Sequence, residues 1–95
     1  MELFDWLTKW FQSYCDGDWE HSYGITIETL DNPGWWVKIY LWGTDLENKD
    51  FAKVTIDDGD DDWISCKVEN YFFEGFGDLG KLKEIITIFK NWVEA

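Results

Sequence analysis

Residues 23–42 read Tyr-Gly-Ile-Thr-Ile-Glu-Thr-Leu-Asp-Asn-Pro-Gly-Trp-Trp-Val-Lys-Ile-Tyr-Leu-Trp. From Tyr23 to Leu30 the chain alternates, with Ile25 and Ile27 on one face and Thr26 and Glu28 on the other, the period-2 pattern of a half-buried strand. Trp35 to Trp42 repeats it, with Val37, Ile39 and Leu41 sharing a face. Between the two, Asn32-Pro33-Gly34-Trp35 has Pro and Gly where a type II turn wants them, so the chain is expected to reverse with Gly34 at positive φ.

Working outward, Leu3, Trp6, Leu7, Trp10 and Tyr14 follow the i, i+3, i+4, i+7 spacing of an amphipathic helix, and Gly17 suits a left-handed cap after it. Phe51 to Ile56 reads as a third strand and Trp63 to Tyr71 as a fourth. Gly75 and Gly77 break that pattern, Asp78 reads as a helix N-cap, and Leu79, Leu82, Ile85, Ile86, Phe89, Trp92 and Val93 trace a second amphipathic helix. The expected fold is α+β: an N-terminal helix, a four-stranded antiparallel meander and a C-terminal helix, with both helices on one sheet face. At 95 residues the chain is expected to be one domain spanning residues 1–95.

The sets Ile25/Ile27, Val37/Ile39/Leu41, Ala52/Val54/Ile56 and Ile64/Cys66/Val68 form the expected inner face. The opposite face then carries Trp36, Tyr40, Trp42, Phe51 and Trp63 among Lys38, Lys53 and Lys67, whereas solvated sheet faces usually read polar. Two readings compete: a self-packed ladder with cation–π contacts, or a face that binds a partner.

Composition narrows the choice of partner. The chain holds 8 Trp, 7 Phe and 4 Tyr, enough ring surface to close a core without disulfides or metal. Asp and Glu total 20 against 8 Lys and no Arg, a net charge of −12. Such a chain is repelled by phosphate backbones and anionic lipid, so neither nucleic acid nor a membrane is the expected partner. It would steer in a basic protein, although acidity also keeps an aromatic-rich chain soluble. No apolar run reaches the ~20 residues of a membrane span and no basic signal start precedes Leu3, so a cytosolic location and reduced thiols are expected.

Candidate chemistry gathers in Cys15-Asp16-Gly17-Asp18-Trp19-Glu20-His21. Cys15 and His21 suggest a thiolate and its base, but a helix C-terminus beside Asp16 and Asp18 raises a thiol pKa. Cys15 is therefore read as a small buried thiol, Cys66 as core, and His21 as a hydrogen-bonded residue between helix and strand. Asp16, Asp18 and Glu20 would share one side of an extended chain, and Asp57, Asp58, Asp60, Asp61 and Asp62 form an acidic loop around Gly59. Neither matches an EF-hand, whose twelfth position needs Glu and is Val68 when counted from Asp57. No metal, cofactor or catalytic residue is expected.

Trp6-x-x-x-Trp10, the Cys15–His21 block with Tyr23-Gly24-Ile25, and Thr29-Leu30-Asp31-Asn32-Pro33-Gly34-Trp35 together resemble the bacterial immunity protein 53 family. Trp63, Cys66, Gly75, Gly77 and Phe89-x-x-Trp92 fit the same profile, so the similarity spans nearly the whole chain. Members are predicted antitoxins of polymorphic toxin systems, small α+β proteins that bind and neutralise a cognate toxin domain. The resemblance implies that function here, without an agreed set of contact residues. Some such sequences are also labelled sulfurtransferases, which leaves a thiol-dependent enzyme built on Cys15 and His21 as the alternative, beside a general acidic interaction module. For a toxin-binding role, the expected anchors are Trp36, Tyr40, Trp42 and Trp63, and the expected acidic rim is Asp58, Asp60, Asp61 and Asp62.

Overall fold

The structure, a computed structural model, describes residues 2–95. Its elements are α1 (Glu2–Gln12), α2 (Trp19–Ser22), β1 (Ile25–Leu30), β2 (Gly34–Tyr40), β3 (Val54–Asp57), β4 (Trp63–Glu69), β5 (Phe72–Gly77) and α3 (Leu82–Glu94). The α+β class and the helix–sheet–helix order are as expected, but the sheet has five strands, in the order β1-β2-β5-β4-β3, all antiparallel.

The extra strand is β5. Trp63 to Tyr71 is not one strand, because Asn70 and Tyr71 take φ 54° and 67° and form a two-residue hairpin turn that pairs Glu69 with Phe72. Gly75 and Gly77, which read as breakers, lie inside β5. A Cβ on Gly75 would collide with Ile85, and one on Gly77 would lie 2.6 Å from Lys81 Cβ, so the glycines are what let α3 rest on the centre of the sheet. A meander in chain order fails for the same reason: β5 takes the place beside β2, and β3 moves to the far edge.

The chain crosses to that edge through residues 41–53, tied by Leu41, Thr44 and Leu46, all buried. Thr44 Oγ1 donates to the Leu41 carbonyl at 2.7 Å and accepts from Leu46 N–H at 3.1 Å. Phe51 belongs to this crossing and not to a strand. It turns away from the outer face onto Phe73 (5.6 Å) and Trp92 (5.4 Å), and the β3 ladder starts only at Val54, opposite Cys66.

The core lies between the inner sheet face and both helices. Val37, Ile39, Leu41, Cys66, Phe73, Ile85, Ile86 and Phe89 have no exposed surface. Phe89 is its hub, with Phe73 at 5.2 Å, Trp10 at 5.1 Å and Trp6 at 6.0 Å. Truncating such a ring costs about 3–5 kcal/mol. The inner face is not covered to its edges: Ile27 on β1 and Ile56 on β3 stay exposed, because the two helices span only the central strands, and Ala52 lies outside the sheet.

Two local expectations also change. Gly34 is not at positive φ; it is the first residue of β2, buried opposite Leu30, and residues 31–33 make the turn. Asp78 does not cap α3, which starts at Leu82; its carboxylate instead accepts from Trp63 N–H at 2.9 Å and Gly80 N–H at 2.8 Å, pinning the turn from β5 to the start of β4.

A candidate protein-docking surface

Strand pairing decides what the outer face presents. Trp36 lies opposite Phe76, Lys38 opposite Glu74, and Tyr40 opposite Phe72, while Lys67 on β4 also lies opposite Glu74. The face is therefore two aromatic rungs with a charged rung between them. Trp36 stacks on Phe76 (6.4 Å, 16°) and donates from Nε1 to Glu74 at 3.0 Å; Tyr40 packs on Phe72 at 5.8 Å. Lys38 Nζ sits 4.3 Å from the Phe72 ring centre and 5.1 Å from that of Tyr40. Each cation–π contact contributes on the order of 0.5–1 kcal/mol at an exposed site. The ladder is self-packed, and every ring in it is half-buried, neither fully covered nor fully open. Phe72 and Phe76 belong to this face and were missed with β5; the signal was there, since Phe72-x-Glu74-x-Phe76 mirrors Trp36-x-Lys38-x-Tyr40.

The other two expected anchors lie at opposite ends of the sheet. Trp42 follows β2 and is 47% exposed, edge-on at 5.4 Å to Tyr71, which is 49% exposed. Trp63 opens β4 at the other end, roughly 25 Å away along the strands at ~3.3 Å per residue. Trp36 and Tyr40 thus bridge an exposed aromatic pair and the acidic end, while Phe51 is absent from the face.

At the Trp63 end the five-residue turn between β3 and β4 is closed by Asp58 N–H donating to the Asp62 carbonyl at 2.9 Å. Asp58, Asp60 and Asp61 are exposed and make no ion pair among the described residues. Asp62 is different, because Lys81 Nζ holds it at 2.8 Å and Asp78 at 2.7 Å. That ammonium first, and Trp63 N–H next, hold the Asp78 carboxyl down at about 2, and the two carboxylates, Asp62 first, push the Lys81 pKa up. Between this turn and the β1–β2 turn lies a cleft of about 870 Å³ whose walls include Pro33, Trp63 and Leu79 as well as Asp57, Asp60 and Asp61. It can offer a cationic side chain both carboxylates and a ring face.

The Cys15–His21 block is a capping device. Asp16 Oδ1 accepts from Asp18 and Trp19 N–H, both at 2.9 Å, and the Glu20 carboxylate reaches back to Asp16 N–H (2.9 Å) and Gly17 N–H (2.8 Å). The amides, Trp19 ahead of Asp18, hold the Asp16 pKa down, and Glu20 is held down by its own amide and those of Asp16 and Gly17. The three carboxylates therefore do not line one side of an extended chain, since the segment turns into α2. The residue this device places is Trp19, which is buried, donates from Nε1 to the Trp42 carbonyl at 2.8 Å and packs on Phe11 at 5.6 Å.

Trp19 fills the end of the core that Cys15 was expected to fill, so Cys15 is exposed, not buried. Its thiol donates to the Phe11 carbonyl at 3.4 Å, and desolvation followed by the charges of Glu20 and Asp16 raises its pKa, the reverse of an activated nucleophile. His21 is exposed as well, and its ring makes no hydrogen bond among the described residues, so it does not bridge helix and strand as expected. Cys66 is core, with burial pushing its thiol up to about 12. Among the described residues no three His, Cys, Asp or Glu side chains converge as metal ligands, and no helix is long and apolar enough to cross a membrane.

Compared with known protein families, residues 4–94 match the family described as Immunity protein 53. No curated protein and no solved structure matches the chain.

Proposed function

The chain belongs to the immunity protein 53 family, and from that premise we propose that it is a non-catalytic antitoxin, one domain over residues 1–95, that neutralises a basic cognate toxin domain by holding it against the outer sheet face. Trp36, Tyr40, Trp42 and Trp63 serve as anchors, and Asp58, Asp60, Asp61 and Asp62 as the acidic rim, with Asp62 the weakest member because Lys81 already pairs with it. The single observation that carries this reading is the half-buried aromatic ladder running into an acidic cleft, the anchor-and-rim anatomy of a protein interface. The net charge of −12 supports a basic partner, since complementary fields speed encounter and exclude acidic competitors.

Association and dissociation rates against the toxin separate the two roles. Trp42→Ala should leave the on-rate unchanged and raise dissociation, at a cost of about 2 kcal/mol or more. Changing Asp58, Asp60 and Asp61 to Asn should lower the on-rate and flatten its salt dependence. If folded proteins of both kinds bind with wild-type kinetics, the toxin docks elsewhere.

A further inference from the structure

A sheet that is not closed has two edges, and this one treats them differently. The β3 edge is only four residues long and is flanked by Lys53 before it and by Asp57 and Asp58 at its end, the short, charged edge that discourages pairing. The β1 edge is six residues long and reads Ile-Thr-Ile-Glu-Thr-Leu, with one charge and no proline.

The ladder shows which of its backbone groups are open. Tyr40 N–H donates to the Gly24 carbonyl at 3.0 Å, so 24 and 40 form a hydrogen-bonded pair, and by alternation the even residues of β1 face β2. Ile25, Ile27 and Thr29 therefore turn their N–H and C=O groups to the open edge. Their side chains point to the helix side, where Ile27 is 39% exposed and a groove of about 320 Å³ separates the strand from α1. Leu7, Phe11, Tyr23 and Ile25 line it, with Glu20 among its walls.

We infer that β1 is a docking edge that accepts an extended segment of the toxin as a sixth, outermost strand. This rests on the antitoxin reading and adds to it a binding mode. The added backbone bonds to Ile25, Ile27 and Thr29, its inward side chains are apolar and fill the groove against α1, and its outward side chains are basic and lie beside Glu28. Charge selects this occupant over a second copy of the chain. β1 and the turn after it carry Glu28 and Asp31 and no cation, and each copy brings a net charge of −12. The new strand also continues the outer face, because Glu28 lies opposite Trp36.

The test uses the full chain, isotope-labelled for NMR, and a capped peptide of alternating Lys and Val as the probe. Expected are amide shifts clustered at 24–30 and along 7–11, with slowed hydrogen exchange at Ile25, Ile27 and Thr29. Ile27→Pro removes an N–H that β2 does not use, so it should block the peptide and keep the ladder. Ile27→Lys, at an exposed position, covers the case in which the proline variant does not fold. Ile27→Pro should weaken binding by roughly tenfold or more, the loss of about one buried backbone hydrogen bond, and Ile27→Lys, which keeps its N–H, should weaken it by repelling the basic peptide. An N-methylated peptide or one with Glu in place of Lys should not bind. The inference is overturned if the shifts fall on Trp36 and Tyr40 instead, if the Glu peptide binds equally well, if no peptide binds, or if β1 pairs with a second copy. A chain that neutralises its toxin yet ignores the peptide sinks the edge alone, whereas a chain that neutralises nothing sinks the reading beneath it.

Discussion

Gly34→Ala isolates the point at which the hairpin meets the centre of the sheet. An added Cβ would lie 2.6 Å from the Gly77 carbonyl oxygen and 3.3 Å from Trp63 Cζ2. Carbon–oxygen contacts settle at about 3.3–3.6 Å, so the site is short by about 0.7 Å. The oxygen cannot swing aside. Leu41 N–H donates to the Tyr71 carbonyl, so odd residues of β2 are the ones bonded to β5, and the Trp35–Gly77 pair is among them. Relief must come from parting β2 and β5. Overpacking of this kind costs about 1–3 kcal/mol, and one weakened ladder bond adds about 1 kcal/mol. At 4–8 °C per kcal/mol for a domain of this size, a loss of about 2–4 kcal/mol lowers Tm by roughly 10–30 °C. Urea melts followed by tryptophan fluorescence, beside calorimetry, give both values. Gly34→Asn tells the two mechanisms apart, because Asn tolerates positive φ. If the turn demanded a left-handed residue, Asn would restore much of the stability lost with Ala; steric crowding makes Asn at least as costly. An Ala variant with unchanged Tm, or a near-wild-type Asn variant, would refute the reasoning.

Two further outcomes follow from the same geometry. Asp78 titrates at about 2 in the folded chain against an ordinary value of 3.8, so its contribution is complete above about pH 4 and is lost as pH falls toward 2; wild-type stability should therefore drop more steeply across that window than that of Asp78→Asn, and parallel acid melts would count against the Lys81 and Trp63 contacts. Trp19→Phe keeps a ring in the core but leaves the Trp42 carbonyl without its donor, which should cost about 1–3 kcal/mol and alter the near-ultraviolet circular dichroism, and wild-type stability would show that Trp19 does not anchor this end of the core.

The parts legible in the sequence are those written by local periodicity. The stripe from Leu3 to Tyr14 and the one through Phe89 and Trp92 gave both helices, and the alternation around Pro33 gave the β1–β2 hairpin. What stayed hidden depends on contacts between distant residues. β5 shows its alternation only on the outer side, because its inner positions read Phe73, Gly75, Gly77, and those glycines answer to α3, not to their neighbours in sequence. Without β5 the partner of β2 could not be known, and Phe72 and Phe76 could not join the outer face. Phe51 reads as an outward strand residue until Phe73 and Trp92 draw it inward. Cys15 loses its expected place to Trp19, a choice settled by the fit of an indole among Trp10, Phe11 and Tyr14. The candidate anchors and rim were all nameable from sequence; that Lys81 ties up Asp62, and that Trp42 and Trp63 stand at opposite ends of the face, were not.

The most direct measurement of the central claim, stoichiometric and non-catalytic neutralisation, is an activity titration: a fixed amount of purified toxin domain assayed against increasing amounts of this chain and of its Cys15→Ser variant. The account predicts that activity falls linearly to zero at about one equivalent for both proteins, because tight binding saturates at the interface stoichiometry and an exposed thiol of raised pKa takes no part. Loss of toxin activity at far below one equivalent, abolished by Cys15→Ser in a folded protein, would mean that the chain acts on its toxin as an enzyme and would contradict the account.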